Sequence, residues 1–104
     1  MAASGNVGDN HAFFEPVHGS APKHAGLNKV NPIASINSIQ MMLDWLGRKN
    51  GDEGLVHVAQ LIDDSVADHL RGGMSLTYDL GGSASCSDVG ESISNILSTK
   101  LREL

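Results

Sequence analysis

The sequence is poor in cysteine, in positive charge and in long apolar runs. Its single cysteine, Cys86, cannot form an internal disulfide, which favours a reducing compartment and predicts a cytoplasmic location. Lys and Arg number 7 against 12 Asp and Glu, and the formal net charge of −5 argues against nucleic acid as a partner. No apolar run reaches the length of a membrane helix, so we expect no membrane partner.

The first residues also lack the features of a targeting segment. Met1 to Gly5 contain neither a basic stretch nor an apolar stretch, so no signal peptide is expected. With 104 residues, 40% of them hydrophobic, the chain is long enough for one domain with a core.

The most informative stretch runs from Phe14 to Gly26. It begins as a short aromatic strand, predicted over Ala12–Val17, and continues into a loop whose small residues leave the backbone N–H groups accessible: Gly19, Ser20 and Ala21. Donors and positive charge flank these residues at His18, Lys23 and His24. Such a loop is suited to phosphate and sugar oxygens.

Three amphipathic helices are predicted after this loop. The first should run from about Pro32 to Leu46, with Asn31 as its cap, Pro32 in its first turn and Gly47 closing it. The second should span about Asp52–Arg71, and the third should follow a capping box that begins at Ser85. Residues 1–10 read as a loop, and residues 75–80 read as a short extended segment.

The stretch around His18 resembles the nucleotide-binding loop of the isocitrate and isopropylmalate (β-decarboxylating) dehydrogenase family. In that family His-Gly-(Ser/Thr)-Ala-Pro is followed closely by Asn-Pro, as it is here from His18 to Pro32. Thr77–Gly82 and Ser87–Glu91 resemble the closing segments of the same enzymes, in the same order. The resemblance implies an α/β fold and identifies residues 1–104 as an incomplete, C-terminal portion of that domain.

The resemblance implies an enzyme that oxidises a 2-hydroxy acid of the isocitrate or 3-isopropylmalate type and releases carbon dioxide. Hydride goes to NAD(P), Mg²⁺ or Mn²⁺ assists, and the full-length enzyme is expected to be a homodimer. The family motifs for the acid–base pair and the metal carboxylates do not occur in this sequence. We therefore assign no catalytic or metal-binding residue here, and we expect the chain alone to be inactive. His57 and His69 are too far apart to share a metal on adjacent turns, and we expect both on solvated faces.

The resemblance implies that this chain contains the adenosine side of the cofactor site. It implies contacts from the loop, from the first helix and from the later segment: His18, Gly19, Ser20, Ala21, Pro22, Lys23, His24, Asn31 and Tyr78. Lys23 and His24 favour the 2′-phosphate of NADP, with NAD as the alternative, because Gly82 stands where NADP-using relatives place an arginine.

A second hypothesis is a free-standing nucleotide-binding or interaction module without catalysis. Three helices and one or two strands cannot cover both faces of a sheet, so we expect one apolar face to stay open. A fragment should expose that face, whereas an independent module should be soluble and monodisperse.

Overall fold

One β-hairpin and three helices make up the chain in a computed structural model, which describes residues 2–104. The strands are β1 (Ala3–Val7) and β2 (Ala12–Pro16), and the helices are α1 (Ile33–Asn50), α2 (Glu53–Gly72) and α3 (Cys86–Arg102). Two short 3₁₀ turns, Pro22–His24 and Tyr78–Leu80, lie in the connections. This set of elements confirms the expected partial α/β fold.

The hairpin is antiparallel and contains a strand that the sequence did not predict. Ala3 pairs with Pro16 and Val7 with Ala12, and the N–H of Gly8 donates to the carbonyl of His11 at 2.8 Å to close the turn. The prediction of a loop over residues 1–10 was therefore wrong for β1, whereas the strand predicted at Ala12 is confirmed. The residues of β1 are small and polar and show no apolar alternation, so only pairing with β2 defines the strand.

Helix α1 begins and ends later than predicted. Asn31 Oδ1 accepts from the N–H of Ile33 at 2.9 Å, but the cap position itself belongs to Pro32, whose carbonyl accepts from Ile36 N at 3.1 Å. The helix also continues through Gly47 and stops at Gly51, where φ is 66°. Gly47 serves packing, because a Cβ there would lie 2.7 Å from Cγ2 of Val56.

The starts of α2 and α3 are both capped by a side chain, and the capping box at the start of α3 is the predicted one. Asp52 caps α2 by accepting from Leu55 N at 3.1 Å. Ser85 and Asp88 form the predicted capping box at the start of α3, each side chain accepting from the other residue's N–H. The prediction of an extended segment over residues 75–80 was wrong, since residues 78–80 form a 3₁₀ turn.

The core lies where the N-terminal end of α1 meets α2 and α3. Its buried residues come from all three helices: Ile33, Val66, Val89 and Ile93. His69 is also buried, at 4% exposure, with its Nδ1 2.9 Å from Ser92 Oγ, so the predicted solvated position was wrong for His69. His57 is exposed, as predicted. Ile33, which follows Asn31 by two residues, belongs to this core. The packing of the core therefore holds the start of α1 in place.

The side of α1 that faces the hairpin is only partly covered. Phe14 packs on Trp45 with ring centroids 6.2 Å apart, but Phe13, Ile39 and Met42 stay exposed around a cavity of about 260 Å³. The chain measures 41 × 34 × 19 Å, and its thin dimension is below two helix diameters of about 10–12 Å each. The expectation of an open apolar face is thus confirmed. Within residues 2–104, no helix is long and apolar enough to cross a membrane.

Candidate functional site

A cleft of about 490 Å³ lies between the loop that follows β2, the start of α1 and the Tyr78–Leu80 turn. Backbone and small side chains form one wall, and polar or aromatic side chains form the other. The lining residues are His18, Gly19, Ser20, Ala21, His24, Val30, Asn31, Ala34, Tyr78 and Asp79.

The loop wall has an unusual backbone conformation at Ala21. Ala21 has φ 47° and ψ 62°, a left-handed conformation that costs a non-glycine residue about 1–3 kcal/mol. The conformation is held by the turn that follows, in which His24 N donates to the carbonyl of Ala21 at 2.9 Å. Strain of this kind is concentrated at ligand-binding loops.

The orientation of His18 fixes its donor and acceptor atoms. Nδ1 lies 2.8 Å from the carbonyl oxygen of Gly19, which can only accept, so Nδ1 carries the hydrogen. In the neutral imidazole Nε2 is then an acceptor, which suits a hydroxyl of a sugar.

The side chains of His24 and Tyr78 contact each other at one end of the cleft. The Tyr78 hydroxyl lies 3.2 Å from His24 Nε2, and the ring centroids are 5.5 Å apart. His24 Nδ1 is buried and has no hydrogen-bond partner among residues 2–104. Lys29 places its Nζ 5.3 Å from the centroid of the Tyr78 ring. Two aromatic rings therefore meet at this end of the cleft, with a cation beside the Tyr78 ring.

Asn31 is held in one orientation by two partners. Its Oδ1 accepts from Ile33 N at 2.9 Å and its Nδ2 donates to Asp79 Oδ2 at 3.1 Å. The Thr77 hydroxyl donates to the other oxygen of Asp79. Burial on its own raises the pKa of the Asp79 carboxyl, but the hydrogen bonds from Thr77 and Asn31 outweigh it and hold that pKa below its ordinary value. One N–H of the Asn31 amide is left for a ligand.

Seven of the nine predicted cofactor residues line this cleft, and the other two, Pro22 and Lys23, lie beside it in the Pro22–His24 turn. Lys23 is exposed. The role of all nine as cofactor contacts stays a prediction. Asp79 was missed by sequence reasoning, although its position two residues after Thr77 is typical of a local side-chain hydrogen bond.

Gly82 closes the loop after the Tyr78–Leu80 turn and admits no side chain. A Cβ at this position would lie 1.9 Å from the carbonyl oxygen of Leu76, which itself accepts from Ala84 N at 2.9 Å. Arginine at this position would therefore require a different path of the backbone.

No three His, Cys, Asp or Glu side chains come together as a metal-binding group in residues 2–104. The cleft is the candidate site because of its polar and aromatic lining residues. Its chemistry is that of binding: ring faces, fixed N–H donors and oxygen or nitrogen acceptors.

Comparison with known proteins agrees with the sequence motifs. The family model for isocitrate/isopropylmalate dehydrogenase matches residues 1–93. Homoisocitrate dehydrogenase of Methanocaldococcus jannaschii is 43% identical over 102 residues, which are 98% of this chain and 27% of that protein. A regulatory chain of the mitochondrial NAD isocitrate dehydrogenase of Dictyostelium discoideum is 46% identical over 89 residues, 85% of this chain and 23% of that protein.

A solved structure shows the same fold. The crystal structure of a β-decarboxylating dehydrogenase from Thermococcus kodakarensis, in its apo form, has a TM-score of 0.82 and 42% identity, covering 96% of this chain and 27% of that one. The chain thus spans about a quarter of the length of the curated relatives it matches. It belongs to the isocitrate/isopropylmalate dehydrogenase family.

Proposed function

We propose that this chain supplies the adenosine side of the cofactor site in an NAD(P)-dependent dehydrogenase that oxidatively decarboxylates a 2-hydroxy acid of the isocitrate or 3-isopropylmalate type. The observation that carries the proposal is the cleft in which Asn31, His24 and Tyr78 converge. The chain belongs to the family, and the Asn31 amide in this cleft is already held in one orientation by Asp79 and Ile33.

The residues of the cleft fit an adenosine. Its volume of about 490 Å³ is within the range of roughly 300–1,000 Å³ that small-molecule sites occupy. The His24 and Tyr78 rings offer faces for a purine, and the free N–H of Asn31 can donate to a purine ring nitrogen. The His18 Nε2 acceptor suits a ribose hydroxyl.

NADP is the proposed cofactor and NAD is the alternative. Lys23 and His24 stand next to each other in the Pro22–His24 turn, and no Asp or Glu occurs between Glu15 and Asp44. This local excess of positive charge favours a phosphate over a bare ribose diol. The Dictyostelium relative carries NAD in its name, which keeps NAD as the alternative.

The remaining parts of the activity are assigned to the full-length enzyme, in which residues 1–104 form an incomplete C-terminal portion of the domain. A divalent ion, Mg²⁺ or Mn²⁺, when bound there would polarise the hydroxyl oxygen of the substrate. We propose that its ligands and the acid–base pair lie outside this chain, in a cytoplasmic homodimer.

Calorimetric titration of the chain with adenosine 5′-diphosphoribose tests the proposed site. His24→Ala should weaken binding by about tenfold, because it removes a ring face and a nitrogen from the cleft. His57→Ala removes the same side chain from an exposed position on α2 and should leave the affinity unchanged. Absence of binding, or an equal loss in both variants, would contradict the proposal.

A further inference from the structure

Asn50 is the only asparagine of the chain that is followed by glycine. Because glycine has no side chain, the backbone nitrogen of Gly51 can approach the Asn50 side-chain amide more closely than that of any other residue type. Ring closure between a side-chain amide and the next backbone nitrogen is therefore least hindered at Asn50. The remaining asparagines precede larger residues: Asn6, Asn10, Asn28, Asn31, Asn37 and Asn95.

The junction between Asn50 and Gly51 lies at the open end of α1. Asn50 is the last residue of the helix, and both residues are exposed. Gly51 has φ 66°, and a Cβ on it would meet nothing within 4 Å, so no neighbouring group covers the junction. The Gly51 N–H donates to the carbonyls of Gly47 and, at 3.4 Å, Arg48. Since the last turn of a helix frays readily, this nitrogen is released each time the end of α1 opens.

We propose that the Asn50–Gly51 junction is a deamidation site, at which Asn50 is converted to aspartate and isoaspartate and the turn between α1 and α2 is weakened. Asparagine is among the chemically labile residue types. The Gly51 nitrogen gives its proton to the solvent and bonds to Cγ of Asn50, while the bond from Cγ to Nδ2 breaks. The side-chain nitrogen takes up a proton and leaves as ammonia, so a five-membered cyclic imide remains.

Hydrolysis of the imide gives two products. If water breaks the new bond between Cγ and the Gly51 nitrogen, the chain returns to its original path with aspartate at residue 50. If water instead breaks the bond between the main-chain carbonyl carbon and that nitrogen, the chain continues through Cγ and residue 50 becomes isoaspartate. Water is the sole co-reactant, and the reaction involves no oxidation or reduction.

Isoaspartate would lengthen the turn that joins α1 to α2, because the backbone then passes through an additional methylene. This turn carries contacts that depend on its length. Asp52 N donates to the Gly47 carbonyl at 2.8 Å, and the Asp52 side chain caps α2 by accepting from Leu55 N at 3.1 Å. Both products also place a negative charge at the C-terminal end of α1, where the helix dipole disfavours it. Accumulation of isoaspartate should therefore lower the stability of the chain.

Peptide mapping by mass spectrometry, after incubation of the folded chain in mildly alkaline buffer, tests the site. We expect the mass gain of amide-to-acid conversion in the peptide that contains Asn50, with isoaspartate identified by enzymatic methylation of its carboxylate. Asn10 is the internal control, because it is exposed and outside the helices and strands but precedes His11. Conversion at Asn50 should exceed conversion at Asn10 by at least about tenfold. Equal conversion at the two positions would overturn the assignment.

The chain unfolded in urea supplies the rate of conversion at Asn50 without the helix. Since fraying of a helix end costs little free energy, the folded chain should convert Asn50 within about tenfold of that rate. Conversion in urea with none in the folded chain would show that α1 protects Asn50, and would overturn the proposal.

Urea midpoints of fresh and aged chains test the effect on the turn. The aged parent should have a lower midpoint than the fresh parent. Asn50→Gln keeps an exposed amide but closes the imide ring far more slowly, so its midpoint should not change on ageing. Fresh Asn50→Asp adds the charge without the longer backbone and should shift the midpoint less than ageing does. An unchanged midpoint in the aged parent, or an equal loss in aged Asn50→Gln, would refute the proposed weakening of the turn.

Discussion

The Asn31 amide donates to the Asp79 carboxylate at 3.1 Å and so joins the start of α1 to the Tyr78–Leu80 turn, 48 residues later in the chain. The same amide accepts from Ile33 N through its oxygen. Because a carboxylate accepts and a backbone N–H donates, these two contacts leave only one orientation for the amide. Asn31 thus combines a structural function with a fixed donor in the cleft.

Asn31→Ala should therefore affect both stability and binding. Removal of the contact to Ile33 N should lower the free energy of unfolding by about 1 kcal/mol, and the affinity for adenosine should fall as well. Urea unfolding and calorimetric titration measure the two effects. Asn50→Ala, at the exposed C-terminal end of the same helix, is the control and should leave adenosine binding unchanged. If Asn31→Ala changes neither quantity, the assignment of this residue is wrong.

Gly82 should tolerate no other residue. Gly82→Ala places a Cβ 1.9 Å from the Leu76 carbonyl oxygen and should lower the free energy of unfolding by at least about 2 kcal/mol. Gly90→Ala is the matched control, because a Cβ there meets nothing within 4 Å and Gly90 lies inside α3. It should raise stability by about 0.5–1 kcal/mol, since alanine favours a helix over glycine. Equal effects in urea unfolding would contradict the described loop.

Stability should decrease in acid through three carboxyls. Hydrogen bonds from Lys100 and Arg71 hold the pKa of Asp68 below its ordinary value, and the Ser85 backbone and hydroxyl do the same for the pKa of Asp88. The pKa of Asp79 is lowered as well. A lowered folded-state pKa stabilises the fold above the unfolded-state value of 3.8, and that contribution is lost as the pH falls through the folded-state pKa.

Urea midpoints measured from pH 6 down to about pH 2 test this sign. Asp88→Asn should lower the midpoint at pH 6 and should make the loss in acid smaller. Asp63→Asn removes an exposed carboxylate of α2 that takes part in none of these hydrogen bonds and serves as the control. A midpoint that rises on acidification would contradict the expected sign.

The chain alone should not catalyse the family reaction. The motifs for the metal carboxylates and the acid–base pair are absent from its sequence. Purified chain mixed with isocitrate or 3-isopropylmalate, NAD or NADP, and Mg²⁺ or Mn²⁺ should give no reduced cofactor above a blank preparation. Metal-dependent reduction above that blank would place catalytic groups in this chain and refute the assignment.

Local chemistry made the helix ends predictable to different degrees. The Ser85–Asp88 box depends only on contacts within one turn, and it was predicted from the sequence and is present in the structure. The end of α1 was predicted wrongly, because Gly47 was taken as the residue that closes the helix. Gly47 instead lets α1 pack closely against Asp52 and Val56, and local sequence does not reveal such a tertiary contact. Strand β1 was missed for a related reason, since its pairing with β2 overrides its weak local preference.

The candidate site was predictable as far as the motif extends along the chain. The motif contains His18 and Asn31, but the contact of Asn31 with Asp79 joins segments that are distant in sequence. The same holds for Lys29 over Tyr78 and for the Ser92 partner of His69. Sequence spacing cannot give such contacts, because they depend on how the helices pack.

Mapping the adenosine site by NMR tests the central claim most directly. Adenosine 5′-diphosphoribose is titrated into the ¹⁵N-labelled chain, and the shift of each backbone amide is followed. The account predicts that the largest changes occur at residues 18–21, 23 and 24, at Asn31 and at residues 77–80, which line the cleft or adjoin its lining residues. Changes concentrated around Trp45 and Lys49, or no changes at saturating ligand, would contradict the assignment of this cleft to the cofactor.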